Sequence, residues 1–301
     1  MYKYKITVFT PTYNRGHIIK NLYKSLKVQT FKNFEWIVID DGSTDDTSEI
    51  FNKIKKENND FKITFLKTEN GGKHRAINKA LDIAEGELFF IVDSDDYLPT
   101  NSLERINFWE STIADKEKFA GVAGNKGYDN NTIVGKIFED EYVDATSLER
   151  EKLNISGDKA EVFYTNILKN NKFPEFYGEN FITECVIWNK IAFEGYKLRW
   201  FNEIIYICDY LEDGLTMAGQ KIFIDNPKGY AIFIRKEIEY KNVGYRKKIQ
   251  LWFDYYIQLK EKLSLREMAN NLEINKIILL FIVYGWKFKR ILIRSFKNEN
   301  N

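Results

Sequence analysis

Over the first hundred positions, apolar residues recur with two alternating periods. Runs rich in β-branched and aromatic residues at 6–10, 36–40, 63–66 and 88–92 read as buried strands bounded by turn formers. Between them the spacing changes to 3.6. Ile18, Ile19, Leu22 and Leu26 share one face, and Ala76, Ile77, Ala80, Leu81 and Ala84 share another. Ser43, with Asp46 three residues later, predicts an N-cap for a helix carrying Ile50 and Ile54. Strand and helix in this alternation predict an α/β fold with a Rossmann-like, mostly parallel sheet flanked by helices.

Beyond residue 120 the pattern loosens. Segments 120–124, 138–144 and 203–208 read as further strands, while 157–189 mixes helix and loop. From residue 242 the chain turns helical. Ile249, Trp252, Tyr256, Leu259 and Leu263 share a face, and Ser264 with Glu267 forms a capping box. The expected division is a main α/β domain over 1–225 and a small helical C-terminal extension over 226–301.

Composition narrows the partners. Lys and Arg total 45 against 44 Asp and Glu, so no global field points to nucleic acid. Two cysteines, Cys185 and Cys208, are too few for a disulfide framework, and the only histidines are His17 and His74. The N-terminal residues read directly as a strand rather than as a signal segment. The longest strongly apolar run, 277–286, falls well short of the roughly 20 residues that span a bilayer. A cytoplasmic protein is expected.

The candidate chemistry gathers where the strands end, which is where doubly wound sheets bind their ligands. Thr10-Pro11-Thr12-Tyr13-Asn14, Asp40-Asp41-Gly42-Ser43 and Asp93-Ser94-Asp95-Asp96 each follow an apolar strand. Asp93 and Asp95, two apart, reach one small volume if the backbone bends there. Mg²⁺ or Mn²⁺ takes such oxygen ligands together with substrate phosphates, and it resolves the repulsion between an acidic loop and a diphosphate. Asp96 reads equally well as an acid at a helix start. Asp41 beside Gly42 suits a pyrimidine N–H or a ribose hydroxyl, whereas Asp45 and Asp46 look like first-turn helix acids. After the third strand, Gly71-Gly72-Lys73-His74-Arg75 opens a helix. Lys73 and Arg75 there suit a phosphate or a base carbonyl, and His74 reads as a satisfied structural partner.

Thr10-Pro11-Thr12-Tyr13-Asn14-Arg15, Gln29-Thr30, Asp40-Asp41-Gly42-Ser43-Thr44-Asp45 and Asp93-Ser94-Asp95-Asp96, in that order, resemble glycosyltransferase family 2, inverting nucleotide-sugar enzymes of the GT-A fold. The resemblance covers roughly residues 3–215. It implies that Pro11 and Tyr13 flank the nucleobase, that Asp41 binds uracil, and that Lys73 and Ser94 contact the donor. Asp93 then takes the ribose or the metal, and Asp95 the Mn²⁺ or Mg²⁺. It also implies a catalytic base on or before a helix beyond the metal motif. Glu184, opening an apolar helical run, is the first candidate and Glu179 the second; the usual Glu-Asp pair is absent, and Thr183-Glu184 stands in its stead. Asp158 and Asp213 are weaker candidates for touching the donor sugar and closing over the diphosphate, with a cap and a turn as their structural alternatives.

The activity so implied is metal-dependent transfer from a UDP-sugar to a hydroxyl of a glycan or lipid-linked glycan, in bacterial polysaccharide or cell-envelope synthesis. Lys287, Lys289, Arg290, Arg294 and Lys297 accompany Ile278, Phe281, Ile282, Trp286 and Ile293. That stripe suits peripheral contact with the inner face of a plasma membrane, or else a packed helix with a solvated basic face. Three competitors stand against this reading. A nucleotidyltransferase needs a glycine- and Lys/Arg-rich phosphate loop after the first strand, which Thr10-Pro11-Thr12-Tyr13-Asn14 is not. A NAD-binding protein needs Gly-x-Gly-x-x-Gly there. A non-catalytic nucleotide-sugar-binding module sits poorly with Asp41, Asp93, Asp95 and Glu184 all present.

Overall fold

The computed structural model describes residues 2–208 and 219–285. The chain divides into two compact units, Met1–Glu175 with Ile187–Met217 and Phe176–Val186 with Ala218–Asn301.

The first unit is built on one eight-stranded sheet. Strands β1 (Tyr4–Thr12), β2 (Phe34–Asp40), β3 (Lys62–Lys67) and β4 (Gly86–Ile91) alternate with helices α1 (Lys20–Lys27), α2 (Thr47–Ile54) and α3 (Lys73–Ile83). They pair in parallel in the order β3-β2-β1-β4. β2 is buried along its whole length, as a continuous apolar run demands of a strand covered on both faces. β3 forms the edge, half exposed, with Lys62 and Lys67 at its ends. The helical stripes lie inward: Leu22, Leu26, Ile50, Ile54, Ile77 and Leu81 are all buried. The expected Ser43 cap is not made. Ser43 Oγ accepts the Asn14 amide at 2.8 Å, and α2 begins only at Thr47, whose amide donates to Asp45 Oδ1 at 3.0 Å.

The rest of this sheet uses α4 (Ser102–Ser111), β5 (Phe119–Gly127), β6 (Tyr142–Ala145), β7 (Lys159–Tyr164), α5 (Thr165–Asn170), α6 (Cys185–Phe193) and β8 (Lys197–Ile207). The full order is β3-β2-β1-β4-β7-β5-β8-β6. β7 lies between β4 and β5 and is antiparallel to both, β8 is parallel to β5, and β6 closes the edge antiparallel to β8. This is the GT-A fold. Three expectations change. The late strand at 203–208 is the end of an 11-residue strand, the strand expected over 138–144 is only β6, and 157–189 contains β7. Gly157-Asp158-Lys159 therefore leads into a strand rather than a helix. The apolar signal there is broken by Lys159, which is buried and satisfied by Asn125 Oδ1 at 2.6 Å from Nζ.

The second unit is helical, with α7 (Gly219–Asp225), α8 (Pro227–Tyr240), α9 (Tyr245–Leu259), α10 (Leu265–Asn271) and a further helix over 276–285. Ala231, Ile234, Trp252, Tyr255, Leu259, Met268, Leu272 and Leu279 are among its core residues. Ile249, Tyr256 and Leu263 pack against that core, as the stripe on α9 predicts. The Ser264–Glu267 capping box is formed. The segment 176–186 is fastened to the start of α8: Asn226 Oδ1 accepts the amides of Asn180 and Phe181 at 2.7 and 3.1 Å.

Candidate active site

Three strand-end loops of the first unit are tied to one another by side chains reading neighbouring main chain. Asn14, in the left-handed region at φ 52°, accepts the Thr44 amide at 2.8 Å. Asp41 N donates to Thr12 O at 2.8 Å, and Asn70 Nδ2 to Asp41 O at 2.9 Å. Gly42 has φ 85°, and a Cβ there would lie 2.9 Å from Asn70 N, so the close approach of the second and third loops requires glycine. Pro11 is half-buried at the end of β1, while the Tyr13 ring beside it is 48% exposed and open to a partner.

Asp41 is buried at the carboxyl end of β2, and its two oxygens accept from consecutive amides, Gly71 at 2.8 Å and Gly72 at 2.7 Å. Burial pushes its carboxyl above the ordinary value, against the pull of those two amides. A carboxylate with two oxygens still has acceptor capacity for a ligand N–H. The next residue, Lys73, opens α3 and reaches Asp93 Oδ1 at 2.6 Å. Adjacent residues of one loop thus hold Asp41 with an amide and Asp93 with an ammonium.

The other two residues of that helix start do different work. Arg75 donates to Gly71 O at 3.0 Å and to Glu175 Oε2 at 3.2 Å, bracing the glycine turn. His74 is buried, and neither ring nitrogen has a hydrogen-bond partner among the described residues, contrary to the satisfied partner expected. Burial, helped by the Arg75 charge, pushes it down to about 4, so the ring is neutral. Asn78 on α3 accepts the Phe173 amide and donates to its carbonyl, both at 2.9 Å.

Asp93, Ser94, Asp95 and Asp96 follow β4 directly. Burial pushes the Asp93 carboxyl up, but the charges of Lys73 and Lys126 and the hydrogen bond from Lys73 outweigh it and hold it below the ordinary value. The Asp95 carboxyl is pushed up by burial and then by the Asp93 charge, against Arg15 and Lys73. The two carboxylates therefore feel each other. Ser94 is buried between them in sequence. This donor set fits a hard divalent cation: hard oxygen donors, mutual repulsion to relieve, and already one ammonium on Asp93. Among the described residues no group of three or more His, Cys, Asp or Glu side chains is arranged to hold a metal. A cation bound at Asp93 and Asp95 would complete its sphere from a diphosphate or water.

Asp96 turns away from this work: its carboxylate accepts the Tyr206 hydroxyl at 2.5 Å. Tyr206, from β8, is a residue that sequence reasoning missed, because in Ile204-Ile205-Tyr206-Ile207 it reads only as strand filling.

The acceptor-side candidates divide. Glu184 is half-buried in the turn just before α6 and belongs with the second unit. Glu179 is buried, and its oxygens accept the Lys228 and Gly229 amides, both at 2.8 Å, which caps α8. Asp158 is exposed ahead of β7. Asp213 and the basic residues from Lys287 onward lie outside the described residues.

Comparison with known proteins points to one family. The family model "Glycosyl transferase family 2" matches residues 7–112, which contain all the strand-end loops above. The chain is 31% identical over 225 residues to the GalNAc(5)-diNAcBac-PP-undecaprenol beta-1,3-glucosyltransferase of Campylobacter jejuni, covering 72% of this chain and 69% of that enzyme. It is 32% identical over 175 residues to the poly(ribitol-phosphate) beta-N-acetylglucosaminyltransferase TarS of Staphylococcus aureus, of whose length it spans only 30%. Among solved structures, S. aureus TarS 1-349 in complex with UDP-GlcNAc aligns at a TM-score of 0.59 and 21% identity over 93% of this chain and 87% of that one. The mannosyltransferase PcManGT of Pyrobaculum calidifontis, in complex with GDP-Man and Mn²⁺, aligns at 0.55 and 20% identity over 95% and 76%. With the loop order, the sheet and a relative matched over most of both chains in agreement, this chain belongs to glycosyl transferase family 2 and is a glycosyltransferase.

Proposed function

We propose that this enzyme moves a sugar from a UDP-sugar, with inversion, to a hydroxyl of a glycan or lipid-linked glycan, using Mn²⁺ or Mg²⁺ held at Asp93 and Asp95. The observation that carries the reading is the shared loop: Gly72 holds Asp41 and Lys73 holds Asp93. A nucleotide whose base meets Asp41, with Pro11 and Tyr13 beside it, has its ribose and diphosphate directed toward Asp93, Ser94 and Asp95. When bound, the cation supplies Lewis-acid neutralisation of the leaving diphosphate. Lys73 adds a point charge on the same side. Glu184 takes the proton of the acceptor hydroxyl as its oxygen bonds to the anomeric carbon and the bond to the diphosphate breaks. Glu179 is not chosen, because both its oxygens cap α8.

The named substrates of the C. jejuni and S. aureus relatives, an undecaprenol-linked glycan and a poly(ribitol-phosphate), support an acceptor of this class. Residues 1–225 form the catalytic domain in this proposal and 226–301 its extension. On the helix over 276–285, Ile278 and Phe281 of the expected stripe are exposed, with Ile277 and Tyr284 beside them, whereas Ile282 is buried in the helical core; Lys287, Lys289 and Arg290 follow in the sequence. These support peripheral contact with an anionic membrane from the cytoplasmic side. No helix among the described residues is long and apolar enough to cross a membrane.

Thermal melting with UDP, dTDP or GDP, each with and without Mn²⁺, tests the donor. UDP with Mn²⁺ is expected to stabilise most, by about 2.7 kcal/mol at a hundredfold excess over Kd. An equal response to GDP would sink the uracil assignment, and a response indifferent to Mn²⁺ the cation. Pelleting with anionic vesicles, for the full chain and one ending at residue 285, tests the membrane contact; equal pelleting would dismiss it.

A further inference from the structure

We infer that Tyr206 is a positioning residue for the donor site, its hydroxyl setting the bend of the 93–96 loop that presents Asp93 and Asp95. The inference rests on the cation reading proposed above. Asp96 N donates to Asp93 O at 3.2 Å, so the four residues form a turn. The Tyr206 hydroxyl joins both ends of that turn, accepting the Asp93 amide at 3.0 Å and donating to Asp96 Oδ2 at 2.5 Å. A phenol has one O–H to give, and Tyr206 gives it to this loop. One residue further on, Ile207 and Tyr97 exchange main-chain hydrogen bonds at 2.8 and 3.0 Å, which ties the exit of the loop to the end of β8.

The tyrosine is itself held firmly. Its side chain is 1% exposed, its ring meets Phe90 edge-on at 6.1 Å, and Lys126 Nζ lies 4.3 Å from the ring centroid. A ring packed this way needs only apolar surroundings and one cation; the hydroxyl is extra, and its partners are the main chain of one candidate ligand and the carboxylate three residues on. Without it, Asp93 N and Asp96 lose a common anchor, and the loop can leave the bend that brings Asp93 and Asp95 to a single cation. Asp96, which the sequence offers equally as a helix-start acid, has its physical role here.

The test uses the full chain and two measurements that do not depend on turnover: Mn²⁺ binding followed by electron paramagnetic resonance in the presence of UDP, and melting temperature without ligand. Tyr206→Phe keeps the ring and is expected to weaken Mn²⁺ binding about tenfold, the usual scale for a buried hydrogen bond to a charged group. Excess Mn²⁺ is expected to restore most of its kcat. Asp96→Asn keeps a carbonyl acceptor for the phenol and is expected to weaken binding by less, about threefold. Should Tyr206→Phe fail to fold, Asp96→Ala removes the carboxylate end of the bridge with the ring untouched and is also expected to weaken binding about tenfold. Mn²⁺ binding by Tyr206→Phe equal to the parent's, or a loss in Asp96→Asn as large as in Tyr206→Phe, overturns the inference alone. A parent protein that binds no Mn²⁺ with UDP overturns the cation reading, and this inference with it.

Discussion

The two halves of the eight-stranded sheet differ in how they are assembled. β3-β2-β1-β4 is a set of parallel βα units, each strand an apolar run whose polar residues wait at its end. β7-β5-β8-β6 is joined from distant segments, mixes directions, and shifts register three times between β5 and β8. Both halves bury polar residues within their strands, Thr7 and Glu35 in the first and Asn125 and Lys159 in the second. The candidate donor-handling carboxylates all come from the first half, while the second supplies Tyr206, whose hydroxyl meets the Asp93 amide and the Asp96 carboxylate of their loop. The chemistry sits where order is local, and its support comes from where order is not.

If that division is right, transfer and donor binding separate in variants. Glu184→Gln, outside both halves, is expected to lower turnover by about 10²–10⁴-fold with donor affinity nearly unchanged, measured by single-turnover kinetics beside UDP titration. Full transfer by this variant would mean another group is the base. Asp95→Ala, at the end of β4, is expected to lower Mn²⁺-linked UDP affinity by more than the roughly 10–100-fold that loss of a supporting group costs a metal site. UDP titration calorimetry with and without Mn²⁺ reads this directly.

The same pair of carboxylates has a pH signature. Asp95 is raised above its ordinary value and Asp93 lowered, so as pH falls Asp95 protonates first and the proposed cation site would be lost through it while Asp93 is still ionised. Mn²⁺ affinity is expected to fall with acidification before Asp93 titrates, and Asp95→Asn to flatten that acid limb. Affinity that rises on acidification would contradict the sign.

The smallest effect concerns stability. His74 is depressed to about 4 when folded, so below about pH 6.5 the unfolded chain binds the extra proton and stability drains as pH falls toward the folded value. His74→Leu is expected to remove about 2 kcal/mol of this acid loss at pH 5. Chemical denaturation at pH 7.5 and pH 5 compares the two proteins; an unchanged pH slope would mean that the ring finds a partner.

The candidate site could be proposed from the sequence because its parts are local. Asp41, Lys73, Asp93 and Asp95 all lie in the loops that follow apolar strands or at the helix start beyond them, and a strand's end is visible in one dimension. Arg75 and Glu179 show the limit of such reading. Both have residue types suited to chemistry, yet Arg75 braces Gly71 and Glu175, and Glu179 caps α8. A charged side chain near a loop has several main-chain groups it can satisfy, and only coordinates say which. β7 was missed for a related reason: Lys159 and Glu161 break the apolar run, and the partner that makes a buried lysine tolerable, Asn125, lies 34 residues away.

From its residues alone this protein determined the parallel half of its sheet, the order of its strand-end loops and the acidic character of the last of them, since each depends on side chains close in the chain. Tertiary structure decided the rest. It inserted β7 antiparallel between β4 and β5, joined the Gly72 amide to Asp41 and the Lys73 ammonium to Asp93, and brought Tyr206 to a turn more than a hundred residues earlier in the chain. Hydrogen bonds between distant segments have no period and no composition, so they leave no mark on a sequence until burial forces each polar group to find its partner.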